Sequence, residues 1–445
     1  MNQDNHVLFQ LDGRPKVGQA IPLALQHLVA MIVGCMMPSV IIAGIAGLPD
    51  DQSVLLIQSG LFVSGIATLL QLYPLFKTIG AGLPIIFGVS FAYVPVMSSI
   101  VGSADIATLM GAQLIGSLAA IAFGVFLKKL RRFFPAVVTG TVVVTIGLSL
   151  YPTAINYMAG GTGSIAGYGA WQNWLVAIIT LVIVMFFQFY TKGFWRLSAI
   201  LFGIIAGYLV AFFMGIVDFS GLQDVKAFEL PQILPFGIKF EGSAIATMAV
   251  MFIVNSVQVM GEVAATTSGA MDRMPTDKEF SGGVVGNGFS SLIGSALGGL
   301  PTSTFGQNVG IVTSTRIINK FVLALTAIFM LVAGFVPGFA RVLMTVPNCV
   351  LGGATLGVFA TITMTGIRLL VGKGLTPRKM SIVGISIALG VGICSVPEAL
   401  SLAPEWVQSV FGSSAVVIST IVAIVLNLVL PKEKEVASPA NQTLK

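Results

Sequence analysis

Charge is what this chain lacks most: of 445 residues only 9% are Asp, Glu, Lys or Arg, against 56% hydrophobic. Soluble domains carry about 25% charged residues, so most of this chain belongs in a solvent that rejects charge. Histidine and cysteine are scarce as well, with two and three residues. Cys35, Cys349 and Cys394 stand singly in or beside apolar runs, without paired spacing or a histidine neighbour. That pattern excludes a disulfide framework or a metal site and leaves them as small hydrophobes. Four Trp and seven Tyr are too few for strong aromatic girdles. No nucleophile with a base, no ligand cluster and no phosphate-binding glycine loop is found, so neither a membrane enzyme nor a cofactor is expected.

What is abundant fits the same picture. Glycine (51) and methionine (18) are frequent, as where helices approach closely in lipid. A spanning helix needs about 20 apolar residues. Reading along the chain places fourteen membrane segments, near 19–44, 53–73, 84–98, 104–127, 134–152, 171–190, 197–217, 243–267, 282–300, 304–316, 319–340, 344–368, 380–397 and 412–431. The polar start, residues 1–18, precedes a run long enough to span, so no cleavable signal peptide is expected. With both termini inside, 20 of the 23 basic residues fall on the inner side, leaving Lys226, Lys239 and Arg341 outside. This asymmetry supports an even number of spans with both ends cytoplasmic. It also accounts for the net charge of +6 without a nucleic-acid partner. The loop near 218–241 and the glycine-rich loop at 155–169 fall outside, and a polar tail covers 432–445.

Segments three and ten are unusual. One reads AGLPIIFGVSFAYVP from Ala81, the other GGLPTSTFGQNVGIVTSTR from Gly298. Each opens with Gly-Leu-Pro, continues in β-branched or polar residues, and offers only a short helical stretch. They are the third segments of two successive sets of seven. Short, Gly/Pro-interrupted segments at matching places point to a transporter site. Seven is odd, so the second set enters from the opposite face, giving a 7+7 inverted repeat. Non-helical backbone at membrane depth must be buried in protein or line a cavity. A half-helix starting there presents free N–H groups and the positive end of its dipole. Such a site suits acceptor-rich or anionic solutes, whether in a carrier, an anion exchanger or a channel; proline-kinked structural helices are the plainer alternative.

Gln307-Asn308-Val309-Gly310-Ile311-Val312-Thr313-Ser314-Thr315-Arg316 resembles the signature of the nucleobase–ascorbate transporter family: Gln-Asn, Gly two residues later, and a closing Thr-Arg. Gln26-His27-Leu28, Ser90-Phe91 and Val350-Leu351-Gly352-Gly353-Ala354-Thr355 agree with it, so the resemblance covers essentially the whole chain. It implies an all-α polytopic membrane fold with a core domain (about 19–132 and 243–341) and a gate domain (about 133–242 and 342–431). It further implies a homodimer in the bacterial cell membrane and a nucleobase held between the two broken segments. The family's substrate-binding glutamine falls on Gln307, whose amide can donate to and accept from a base edge. Asn308 would brace the local backbone. Phe305, Gly306 and Tyr93 fall where the family places rings or backbone near the base plane. Gln-Asn with a final Arg resembles the oxidised-purine group (xanthine, urate); uracil carriers more often have an acid at the position of Gln307.

Two departures matter. In segment eight, Gln258 stands where members carry Glu, and Glu262 where they carry Asp; in segment nine, Asn287 replaces an acid. Glu262 is thus the one acidic residue in the interior of a span on this map, Asp105 standing at the very start of segment four. A charged carboxylate at a helix centre costs about 2.5–3.5 kcal/mol on insertion scales, so such residues are functional by default. Gln258 and Glu262 share a helix face at i, i+4. Glu262 is a candidate proton carrier, a ligand for sodium alongside broken-helix carbonyls, or a brace between helices. His27, the one histidine in a span, is expected to organise the site or to assist coupling. Ala92 is small where relatives carry a polar residue, leaving room for a purine. The reading is a secondary importer of xanthine or urate coupled to a proton or sodium, with alternating access. A uracil or other nucleobase carrier and an anion exchanger of the same fold are the alternatives.

Overall fold

Apolar runs in lipid satisfy their backbone internally by coiling into helices. The computed structural model describes residues 7–161, 167–218, 228–372, 374–404, 407–408 and 414–431. The tail at 432–445 and parts of both expected outer loops, with Lys226, lie outside the described residues. The first half holds α1 (Val17–Ile45), α2 (Asp50–Leu72), strand β1 (Phe87–Val89), α3 (Val94–Ser103), α4 (Ile106–Val125), α5 (Ala136–Met158), α6 (Trp171–Tyr190) and α7 (Ala199–Phe213). The second half holds α8 (Gly242–Ala270), α9 (Asp277–Ala296), strand β2 (Thr302–Thr304), α10 (Gly306–Thr315) and α11 (Lys320–Phe335). After these come α12 (Pro337–Met344), α13 (Asn348–Val371), α14 (Pro377–Ser395) and α15 (Ala415–Val429). Among the described residues, eight helices are long and apolar enough to cross a membrane, and α11 with α12, bent by 76°, makes a ninth candidate.

The differences from the sequence expectation have local causes. Segment three does not begin as a helix: its chain is extended through β1, turns once in 3₁₀ form at Phe91–Tyr93, and becomes α-helical only from Val94. Segment nine starts earlier, at Asp277, because Thr276 and Glu279 close a capping box there. Segment eleven stops at Phe335, since Pro337 forces Val336 into extended geometry (φ −106°, ψ 98°) before α12 begins. The glycine-rich outer loop begins only after Met158.

The two broken segments meet at the centre. β1 and β2 pair antiparallel, Phe87 opposite Thr304, Gly88 opposite Ser303 and Val89 opposite Thr302. Around this crossing the helices pack in two sets. α1–α4 and α8–α11 pack mainly on one another, while α5, α6, α7, α13, α14 and α15 form the second set, whose spine is α5 against α13. That spine is a glycine crossing: a Cβ on Gly366 would lie 2.5 Å from Val144 N, and one on Gly140 2.7 Å from Leu370 Cγ. Small residues let two backbones approach in lipid, where packing rather than hydrophobicity drives association. The end of the first set that carries Asp105 is held differently. Asp105 caps α4 through Thr108 N (2.8 Å) and pairs with Lys239. Lys239, with the Thr108 amide, lowers the Asp105 carboxyl to about 2. A depressed carboxyl contributes stability above its ordinary value of 3.8 and loses it as pH falls through about 2. The cap therefore persists through mild acid.

Gly366→Ala should lower the melting temperature of the detergent-purified protein through overpacking of about 1–3 kcal/mol. Gly357→Ala, one face away with nothing within 4 Å of its Cβ, should leave it unchanged. Equal melting temperatures would exclude the close α5–α13 crossing.

Candidate functional site

Extended backbone inside a bundle must find partners for every N–H and C=O, and here rows of polar side chains on neighbouring helices supply them. On α2, Ser64, Thr68 and Gln71 follow i, i+4, i+7 spacing and are buried, so they line one helix face. Val89 N donates to Ser64 Oγ (3.1 Å), Phe87 N to Thr68 Oγ1 (3.1 Å), and Thr68 Oγ1 returns a bond to Phe87 O (3.0 Å). Ala81 N donates to Gln71 Oε1 (2.9 Å), while Gln71 Nε2 reaches Gly283 O (2.9 Å). The second strand is served by α9 and α4. Thr302 N donates to Ser291 Oγ (3.1 Å), and Gln113 Nε2 reaches both Ser291 O (2.9 Å) and Gly299 O (3.0 Å). Beyond the register pairs, Phe305 N donates to Ile86 O (3.0 Å) and Ser90 N to Pro301 O (3.2 Å). None of these side chains was singled out from the sequence, although polar residues at helical spacing in an apolar span were the signal.

The crossing sets where two short helices begin. α10 starts directly after β2, and its first residues carry the Gln-Asn pair. Gln307 is exposed and makes no hydrogen bond within the described residues. Its neighbour is the opposite: Asn308 is buried, and its Nδ2 donates to His27 O (3.0 Å) and lies 3.1 Å from His27 Nδ1. With Nδ1 as acceptor, the ring proton of His27 sits on Nε2. The structure thus brings Asn308 and His27 together as a brace between α10 and α1, while Gln307 stays exposed.

Glu262 and Gln258 lie one turn apart on α8, both half-buried. A Cβ built on Gly306 would sit 3.0 Å from Glu262 Oε1. The carboxyl therefore faces the first turn of α10, and a glycine leaves room for it. The start of a helix has unpaired N–H groups and a positive partial charge, so this turn can stabilise the carboxylate or an acceptor on a bound solute. The two aromatic candidates are placed deeper. Phe305 is buried, its ring against Gly34 (3.2 Å from a Cβ there) and Gly88 (2.9 Å). Tyr93 is wholly buried, tilted against Phe252 at 4.9 Å, with its hydroxyl towards Asn255 and Asn287. Asn255 Oδ1 in turn accepts from Ser303 Oγ of β2 (2.9 Å). Phe91, in the 3₁₀ turn, meets Phe359 of α13 edge-on at 5.3 Å, a contact between the two helix sets. Ala92, next to it, is buried. Among the described residues no group of His, Cys, Asp or Glu could hold a metal ion.

Comparison with known proteins places the whole chain in one family. Residues 18–399 match the family model described as Permease family (Xan_ur_permease). The chain is similar to the uric acid permease PucK of Bacillus subtilis, 37% identical over 412 residues, covering 92% of this chain and 95% of that one. It is also similar to the xanthine permease XanP of Escherichia coli, 31% identical over 450 residues, covering 97% and 96%. Among solved structures, the transmembrane domain of the cyanobacterial bicarbonate transporter BicA shares the fold, with a TM-score of 0.58 at 15% identity over 92% of this chain and 98% of that one. SLC26A9 shares it with a TM-score of 0.62 at 11% identity, over 93% and 65%.

Thr68→Val keeps the shape of the side chain but strips both bonds from Phe87. Leaving such groups unpaired costs about 1–3 kcal/mol, so the melting temperature should fall. Thr361→Val, on an exposed face where the hydroxyl bonds only Gly357 O, should be neutral. A Thr68→Val protein as stable as wild type would contradict the role given to α2.

Proposed function

The chain belongs to the nucleobase–ascorbate transporter family, and from that premise we propose that it imports an oxidised purine, xanthine or urate, by cation symport with alternating access. Its similarity to xanthine and uric acid permeases supports a nucleobase permease. The observation that carries the finer reading is the contrast between adjacent residues on α10. Asn308 is buried and its amide nitrogen is held by His27, while Gln307 holds a carboxamide unpaired among the described residues at the mouth of a half-helix. A carboxamide can donate and accept at once, which matches the adjoining C=O and N–H of an oxidised purine ring. Each bond is worth about 0.5–1.5 kcal/mol net, and discrimination comes from the cost of leaving a buried partner unpaired. Gln258, on the same side as Glu262, supplies a second amide.

Fourteen segments as a 7+7 inverted repeat account for the antiparallel pairing of β1 and β2. In each half, the segment before the broken one (α2 or α9) supplies the hydroxyls that hold its strand. In this reading α1–α4 and α8–α12 are the core, carrying the purine past a gate built from α5–α7 and α13–α15, and the Phe91–Phe359 contact lies on the sliding boundary. Glu262 faces the turn that bears Gln307, so a proton or cation on its carboxyl changes the charge beside the purine. That proximity couples the two. A homodimer with both termini cytoplasmic completes the proposal.

Purified protein in proteoliposomes should accumulate labelled xanthine or urate against its gradient when an inward proton or sodium gradient is imposed. Glu262→Gln should still bind purine yet lose gradient-driven accumulation. If neither purine accumulates under either gradient, or chloride or sulfate flux proceeds regardless of purine, the reading fails and an anion carrier is favoured.

A further inference from the structure

Gln307 can read a purine only if α10 is held at one depth and rotation, and the Asn308–His27 brace fixes only its first turn. The other end packs on α8, where Thr313 lies against Gly269, and its exit is tied to the chain before α1. α10 ends at Arg316, whose left-handed backbone (φ 57°) turns the chain towards Asn319, the cap of α11. Asn319 is fully buried. Its Oδ1 accepts from Phe321 N (3.0 Å) and Val322 N (3.4 Å), while its Nδ2 lies against three carbonyls: Val7 O (3.1 Å), Gln10 O (3.0 Å) and Gly13 O (2.8 Å). Lys320 N donates to Leu11 O (3.0 Å), and Lys320 Nζ pairs with Asp12 at 2.9 Å. Residues 7–13 are thus wound round one side chain. Gly13 permits the closure: a Cβ there would lie 2.6 Å from Val7 Cγ1 and 3.2 Å from Asn319 Nδ2.

This segment runs on into α1, which carries His27. One continuous stretch of chain, residues 7–27, therefore grips α10 and its exit turn at both ends, and α1 is tied again to α11 by Thr326 Oγ1 donating to Ala24 O (3.0 Å). We propose that residues 7–13 form a strap setting the position of α10, and that Asn319 is its positioning residue for transport. The proposal rests on the reading of Gln307 as the purine contact. Only an amide fits the role. Aspartate would keep the cap on α11 through its oxygen but would turn an acceptor towards three carbonyls; alanine would lose both functions. The second fastener of the same end, Arg316 on Asp272 (2.9 and 3.3 Å), is solvent-exposed and contributes little by comparison.

The test compares wild type with Asn319→Asp and with a variant whose residues 7–13 are replaced by a Gly/Ser linker of equal length. Amide hydrogen exchange is followed without purine, and xanthine uptake is measured in proteoliposomes. Both variants should speed exchange in residues 307–315 at least about tenfold while α6 and α14 keep their wild-type rates, and both should raise the KM for xanthine several-fold. The strap is overturned if exchange in α10 is unchanged, if it rises equally in every helix, or if KM stays at the wild-type value. Because exchange is read without purine, failure of wild type to bind any purine would overturn the transport reading separately.

Discussion

Everything at the centre of this protein depends on satisfying a short piece of extended backbone far from water. A helix closes its own hydrogen bonds; the three residues of each strand at the β1–β2 crossing do not. Pairing the strands with each other solves part of the problem, and the rest falls to Ser64, Thr68 and Gln71 on one side and Ser291 and Gln113 on the other. These side chains are buried because the backbone they serve is buried. Each would be a liability in an ordinary apolar span, and each is neutralised by a partner fixed in sequence far away.

Once that backbone is held, the site follows from geometry. The crossing starts two short helices at depth, and α10 exposes its first turn with little shielding. Asn308 uses its amide nitrogen to lock that turn to α1, while the neighbouring Gln307 is exposed and its carboxamide has no hydrogen bond among the described residues. Gly306 does the same by subtraction, since a methyl there would press on Glu262. Glu262 therefore meets the turn that bears Gln307 through a glycine. An uncharged solute with donors and acceptors on one edge fits this environment better than a hard anion, for which a second positive group would be expected.

Much of this was legible in the sequence. Segment number three and its match at ten announced themselves through Gly-Leu-Pro and the polar stretch after it, and Gln307, Asn308, Glu262 and His27 stood out because polar groups in apolar runs are costly. The pairing of His27 with Asn308 was not readable, since 281 residues separate them and no local pattern records the contact. Nor was the extended form of residues 87–89, because a short apolar run looks alike as strand or helix. Phe305 and Tyr93 show the limit most clearly. An aromatic beside a signature looks like a stacking surface, whereas packing against Gly34, Gly88 and Phe252 places both rings in the interior. The strap at Asn319 was invisible for the same reason as the His27 brace: its partners are carbonyls, which every residue has.

The account stands on Gln307 as the residue that reads the purine. Calorimetric titration of xanthine and urate into detergent-purified protein, wild type beside Gln307→Leu, addresses it directly. The leucine variant should keep the wild-type melting temperature, because the Gln307 side chain holds no hydrogen-bond partner among the described residues. It should bind about 5–150-fold more weakly, the equivalent of about 1–3 kcal/mol for a purine edge left unpaired. Equal affinity in the two proteins would contradict the account.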